Sequence, residues 1–360
     1  MRRLSHQTMV DIVNGAGLFG AGGGGSITSA LQLVEELRAE GTEPILLSLD
    51  EVENDKTIAT VAGMGAPKAL LEKGFNIEGV KALELLEKTA DKKIDCLIPV
   101  ETGAFNTLVP IYVGAKKGLP IVDADGAGRA VPELEMLMFH FHNIPPSPFA
   151  LSDKGTNAAV VYTANSYDCE NLARHVVMAL GMSAGIASYI MDGAMCKKAM
   201  IPGAVSVAEK AGRIVRDAKS AGKDFIEPLQ AEFSGYHLIT GKVEKMTTET
   251  KKGFDFGRFV VKGLGSNDGD TLVVDYKNEN MIAKKNGRLV AMVPDLICTI
   301  SADAQPLTNA DLSEGMEIAV LAFPCDGKWR ENDRHQVFKH VLDMLDYSGP
   351  YVHIEDLNSE

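Results

Sequence analysis

The chain has 360 residues, 45% of them hydrophobic and 24% charged, and a formal net charge of −13. That length accommodates two domains with a sizeable core, and the composition excludes extended disorder. The surplus of acid excludes the basic footprint of a nucleic-acid binder, so an anionic substrate would need local positive groups to overcome the global field.

The five cysteines, Cys96, Cys169, Cys196, Cys298 and Cys325, form no C-x-x-C pair. They read as reduced thiols rather than a disulfide framework or a structural zinc site, which predicts a cytoplasmic protein. The start, Met1 to Gln7, is too polar to open a signal peptide, and no apolar run reaches the ~18 residues of a membrane helix. The expected partners are therefore a small-molecule substrate and further copies of the chain in a homo-oligomer, with no membrane and no nucleic acid.

In chain order, residues 5–14 predict a short helix capped by Ser5, with Met9, Ile12 and Val13 on one stripe. A glycine region, Gly15 to Gly25, follows. A second helix runs over 26–39, with Ile27, Leu31, Val34 and Leu37 on one face, and Gly41 ends it. Residues 44–49 predict a buried strand closed by Asp50. A helix at 79–90, a strand at 96–100, a helix at 106–117 and a strand at 120–123 come next. Strands alternating with helices predict an α/β fold with a mostly parallel sheet, whose ligands bind outside the carboxyl ends of the strands. Those ends deliver Glu101 and Asp123. Residues 158–163 are β-rich, and 169–180 and 203–220 are helical. From Phe233 to Leu321 the chain turns to short strands punctuated by glycine, which predicts a barrel or sandwich. Residues 331–346 are helical again. The domain boundaries follow: an α/β unit over 1–230, a β unit over 231–328, and 329–360 packing back on the first.

Gly15–Gly20 and Gly20–Gly25 both match G-x-G-x-x-G. A dinucleotide fingerprint needs a strand before the glycines, and the spacing to an acid such as Asp50 is normally ~20 residues. Here a helix precedes them and Asp50 lies further on. What remains is an anion-binding turn: Gly22, Gly23, Gly24 and Gly25 free backbone N–H groups from Cβ crowding, and Ser26 caps a helix whose dipole favours negative charge. Close helix–sheet packing is the alternative use of such glycines.

The segment Asp123-Ala124-Asp125-Gly126-Ala127-Gly128-Arg129-Ala130-Val131-Pro132-Glu133 is the densest polar motif. Asp123, Asp125 and Glu101 are candidate catalytic carboxylates, each able to activate water. Arg129 suits a forked grip on a substrate carboxylate or phosphate, and Glu133 a substrate contact. An Asp/Gly turn with an Arg129–Glu133 ion pair is the structural alternative. Asn106 either binds substrate or caps its helix. His140-Phe141-His142 alternates like a strand, and without further ligands its imidazoles read as partly exposed rather than metal-bound. Asn278 and Glu279 join the site if the β unit closes over the α/β unit. A divalent metal or a nucleotide such as ATP is a possible cofactor; the residues do not choose between them.

The glycine turn, the loop Glu101–Asn106, the Asp123–Glu133 segment, Asn278-Glu279-Asn280 and Pro294-Asp295-Leu296-Ile297 together resemble the S-methyl-thiohydantoin desulfurase-like family. The resemblance covers nearly the whole chain in order. It implies a three-layer α/β domain followed by a β-barrel-like domain. It also implies hydrolysis of a C–S or C–N bond in a small hydantoin-like ring. Its non-catalytic alternative is a ligand-binding subunit of a hydantoinase-type complex. The Arg330–His340 stretch is less typical of that family, and no site residue is expected there.

Overall fold

The computed structural model of the protein describes residues 1–65, 74, 75, 77–251 and 253–359. Nine strands build the first sheet: β1 (Arg2–Arg3), β2 (Ile45–Ser48), β3 (Thr57–Gly65), β4 (Cys96–Ile98), β5 (Ile121–Asp125), β6 (Phe149–Ser152), β7 (Ala158–Val161), β8 (Ser183–Asp192) and β9 (Ile201–Pro202). They run in the order β1-β2-β5-β4-β3-β8-β6-β7, with β9 on β5. The pairs β2–β5, β5–β4 and β4–β3 are parallel. Parallel neighbours need a crossover, and the helices Glu78–Ala90 and Ala104–Lys117 supply two of them. The flanking pairs β1–β2, β3–β8, β8–β6, β6–β7 and β5–β9 are antiparallel. The expected parallel sheet is therefore the centre of a mixed one.

Side chains alternate across this sheet, as a period of two requires. Leu46, Val61, Leu97 and Ile121 face a core shared with the helices His6–Phe19, Ile27–Ala39, Glu78–Ala90 and Ala104–Lys117. Cys96, Ile98, Val122 and Ala124 face the opposite core, which holds Cys169, Ala173 and Val177 of the helix Ser166–Ala179. Each large apolar side chain so buried contributes roughly 1.5–3 kcal/mol. The second core also takes in Met281, Met292 and Cys298 of the β unit, and Trp329 and Phe338 of the C-terminal segment. Trp329 Nε1 donates to Ala127 O at 2.8 Å, which ties that segment to the first sheet.

The β unit is an eight-stranded, wholly antiparallel sheet: β10 (Tyr236–Lys251), β11 (Phe254–Gly263), β12 (Thr271–Lys277), β13 (Glu279–Lys285), β14 (Arg288–Met292), β15 (Leu296–Ser301), β16 (Pro306–Leu307) and β17 (Glu317–Phe323). Its order is β14-β13-β12-β11-β10-β17-β15-β16. The sheet curls until β13 and β14 pack against β15. Asn280 Nδ2 bridges that approach by donating to Ile297 O at 2.8 Å. Phe259, Val261, Val274, Ile297 and Val320 fill the interior.

Several local expectations change. The first helix continues through Gly15 and Gly17 to Phe19. Gly15 allows the helix Ala204–Ser220 to cross closely, since a Cβ there would lie 1.7 Å from Ala208 O. His140 belongs to a short helix, Met138–Phe141, capped by His142, so the pair does not alternate along a strand. Strands β3 and β8 were not anticipated. The tail is a 3-10 segment, Glu331–Phe338, kinked at Asn332 and Asp333, before a helix at Lys339–Met344. Among the described residues no helix is long and apolar enough to cross a membrane.

Candidate active site

A cleft of about 1240 Å³ opens between the two sheets. Its floor is the glycine turn, where the chain passes from the helix His6–Phe19 to the helix Ile27–Ala39. Ser26 caps the second helix, its Oγ accepting from Ser29 N at 3.1 Å. Both the α/β unit and the β unit hold the turn by backbone contacts. Gly24 O accepts from Phe105 N at 3.1 Å and from Asn106 N at 3.3 Å. On the other side Asn280 N donates to Ala21 O and Asn309 N to Gly22 O, each at 2.8 Å. Gly24 has φ +76°, and a Cβ on it would lie 2.3 Å from Gly103 Cα. The N–H groups of Gly24, Gly25 and Ser26 have no partner among the described residues. Helix-start donors of this kind suit negative or polar oxygen.

Glu101 and Glu279 approach this turn from opposite sheets. Glu101 follows β4, and its loop is short because the helix Ala104–Lys117 begins at once. Its Oε2 accepts from Val131 N and its Oε1 from Asn106 Nδ2, both at 2.8 Å. Asn106 is itself held by Gly63 N, which donates to Oδ1 at 3.1 Å. Glu279 opens β13. A Cβ on Gly23 would fall 1.9 Å from Glu279 Oε1, so only glycine admits that carboxyl. Glu279 Oε2 is buried without a partner, as are Asn280 Oδ1 and Asn309 Oδ1. Burial raises both carboxyls well above the usual range. The charge of Glu101 lifts Glu279 further, and Arg129 opposes the rise in each. The charge on Glu101 thus makes Glu279 harder to ionise, the kind of inequality from which an acid/base pair can be built.

The Asp123–Glu133 segment divides between scaffold and cleft. Asp123 caps the helix Ala204–Ser220, accepting from Ser206 N at 3.0 Å and from Ser206 Oγ. Asp125 is fully buried and accepts from Thr102 Oγ1 at 2.6 Å, Gly128 N at 2.7 Å and Ala127 N at 3.1 Å. Arg129 is also fully buried. Its Nε donates to Ala130 O, Nη1 to Pro294 O and Asp295 O, and Nη2 to Asn280 O, over 3.0–3.2 Å. All of these acceptors are backbone carbonyls, and three belong to the β unit. Arg129 is thus a staple between the sheets. Asp123, Asp125 and Arg129 do not line the cleft, whereas Glu101, Asn106, Glu133, Asn278, Glu279 and Gly22 to Ser26 do.

Asn278 turns the chain between β12 and β13 with φ +54°. Its Oδ1 accepts from Asp255 N at 2.9 Å. Glu133 accepts from Lys277 Nζ at 2.5 Å and from His340 Nε2 at 2.6 Å. Burial alone would raise it, but His340 and Lys277 hold it below the ordinary glutamate value. The neighbouring Glu135 is buried, and burial pushes it up to about 7. Glu133, Glu135 and His340 offer ligand atoms all within 4.8 Å of one another. Along the same wall Arg174 pairs with Glu170 and donates to Pro132 O at 3.0 Å, and its guanidinium lies 3.9 Å from the Phe254 ring centre.

His140 and His142 lie elsewhere: His140 packs on Phe141 and Tyr167, and His142 Nε2 contacts Arg334 Nη2 at 3.5 Å. Sequence reasoning missed Glu135, Arg174, Lys277, Asn309 and His340. Glu170 and Arg174 carried one signal, an i,i+4 ion pair, which reads by default as a solvated helix face.

The S-Me-THD-like N-terminal domain matches residues 7–163, and the S-Me-THD-like C-terminal domain matches residues 164–339. A solved structure of a structural-genomics protein from Chromobacterium violaceum is similar over 98% of this chain and 100% of its own, with 27% identity and a TM-score of 0.84. No curated protein matches the chain. With both halves matched in order by one family, the chain belongs to the S-Me-THD-like family.

Proposed function

We propose that the protein is a hydrolase that opens or desulfurises a small cyclic amide of the hydantoin or S-methyl-thiohydantoin class in the cleft between its sheets. The observation that carries this reading is one cleft lined by the glycine turn and by two buried carboxyls, Glu101 from the α/β unit and Glu279 from the β unit. Glu279, raised by burial and further by the charge of Glu101, holds a proton, and Glu101 acts as the base. Glu101 takes a proton from water as the hydroxide oxygen bonds to the electrophilic ring carbon. The C–N or C–S bond then breaks, and the leaving nitrogen or methylthio sulfur takes its proton from Glu279. A carboxyl pair serving as base and acid typically contributes 10²–10⁴-fold per group. The free N–H groups of Gly24, Gly25 and Ser26 are placed for a ring oxygen or a carboxylate substituent. The family's name for its substrate supports this choice of ring.

A nucleotide on the glycine turn finds less support. The element before the glycines is a helix, where a dinucleotide fingerprint needs a strand. The test is turnover of hydantoin, thiohydantoin and S-methyl-thiohydantoin rings by the purified chain, alone and with ATP. Hydrolysis without ATP that is lost in Glu101→Gln and Glu279→Gln supports the reading. ATP-dependent turnover, or none with any ring, counts against it.

A further inference from the structure

We propose that Glu133, Glu135 and His340 form a binding site for one divalent transition-metal cation on the wall of the same cleft. The inference does not rest on the hydrolytic reading. Two glutamates of one segment and a histidine from the C-terminal part of the chain bring ligand atoms within 4.8 Å of one another. Glu135 is 4% exposed, and its Oε2 has no hydrogen-bond partner. A buried carboxylate oxygen without a donor is costly, and a cation would satisfy it.

The imidazole supplies the second observation. His340 Nδ1 lies 3.0 Å from Val337 O, which fixes Nδ1–H as the donor and turns Nε2 toward Glu133 Oε2 at 2.6 Å. A metal-binding histidine is oriented in this way, its far nitrogen donating to a backbone carbonyl and its near lone pair facing the ion. The bound ion would take the place of the proton between Nε2 and Oε2. Metal bonds to nitrogen and oxygen run about 2.0–2.2 Å, so those two atoms must separate by some tenths of an ångström. The His340 side chain is 41% exposed and sits at the start of a short helix, where such a movement is open to it.

Lys277 limits the charge of the site. Its ammonium holds Glu133 Oε1 and faces the Phe254 ring at 4.1 Å, so Glu133 is left with Oε2 for the ion. Two carboxylates and one imidazole suit zinc or manganese better than magnesium or calcium, which prefer all-oxygen shells. Three protein ligands leave a coordination position toward the cleft.

The experiment is calorimetric titration of the chelator-treated full chain with Zn²⁺ and Mn²⁺, with Mg²⁺ for comparison. One equivalent of Zn²⁺ is expected to bind, at least 100-fold more tightly than Mg²⁺. The isosteric Glu135→Gln leaves the Glu133–Lys277 pair in place and should weaken zinc binding at least 10-fold, as should His340→Ala. Glu101→Gln, outside the cluster, should bind zinc as the parent does, so the result stands apart from any loss of turnover. No zinc binding at millimolar concentration, or equal affinity in the parent, Glu135→Gln and His340→Ala, would overturn the site.

Discussion

Glu279 Oε1, at the start of β13, occupies the space that a Cβ on Gly23 of the glycine turn would need, 1.9 Å from where that atom would lie. The glycine turn is therefore a socket for a carboxyl from the other half of the chain, as well as a run of free N–H groups. Gly23→Ala should destabilise the protein by roughly 1–3 kcal/mol through overpacking and abolish turnover by displacing Glu279. Combining it with Glu279→Ala should recover most of the lost stability, giving a coupling energy of about 1–2 kcal/mol in a double-mutant cycle. Additive melting temperatures would show that the two residues do not meet.

Single replacement of either carboxyl by its amide should lower kcat about 10²–10⁴-fold. The fold should survive, because an amide is neutral and removes the cost of burying charge. Circular dichroism and the melting temperature near neutral pH should therefore stay close to those of the parent. A variant that unfolds instead would move these residues from chemistry to scaffold.

Asp125 gives a stability signature in pH. Burial raises its carboxyl from 3.8 to about 7, although Thr102, Gly128 and Ala127 donate to it. The folded chain thus keeps a proton that the unfolded chain releases, so its contribution falls as pH rises from about 4 to about 7. Asp125→Asn keeps an uncharged group there and should remove that decline, worth on the order of 2–4 kcal/mol. Denaturant melts of both proteins at pH 4, 5.5 and 7 would show the two stability curves diverging as pH rises. Parallel curves would mean that Asp125 ionises normally.

Arg129 and Asp123 should behave as scaffold. Arg129→Lys cannot reach all four carbonyls that the guanidinium binds. It should cost roughly 2–4 kcal/mol by leaving buried acceptors unpaired. Asp123→Ala removes a helix cap and should cost about 0.5–2 kcal/mol. In both, the kcat of the folded fraction should stay near that of the parent. A large loss of kcat in stable Asp123→Ala protein would return it to the list of reacting groups.

Much of this site was legible wherever it is local in sequence. Glu101 follows a short apolar strand, and four glycines precede a capped helix; both patterns sit within a few residues. The Asp123–Glu133 segment was visible as a motif, but its members' roles were not. Asp123 and Asp125 share one face of β5 and are consumed by Ser206 and Thr102, partners that no local pattern reveals. Glu133 meets Lys277 and His340 across 144 and 207 residues, beyond any spacing argument. β3 and β8 escaped notice because Ala, Gly and Ser dilute the hydrophobic signal in Thr57–Gly65 and Ser183–Asp192. The histidine pair was misread because a single helical turn and a strand are indistinguishable over three residues.

The most direct test is single-turnover hydrolysis of an S-methyl-thiohydantoin in ¹⁸O-labelled water, comparing the parent with Glu101→Gln and Glu279→Gln. The ring product of the parent should carry one labelled oxygen, with release of methanethiol, and each variant should react at least 100-fold more slowly. Release at the parental rate by the folded variants, or no release by the parent, would contradict the mechanism.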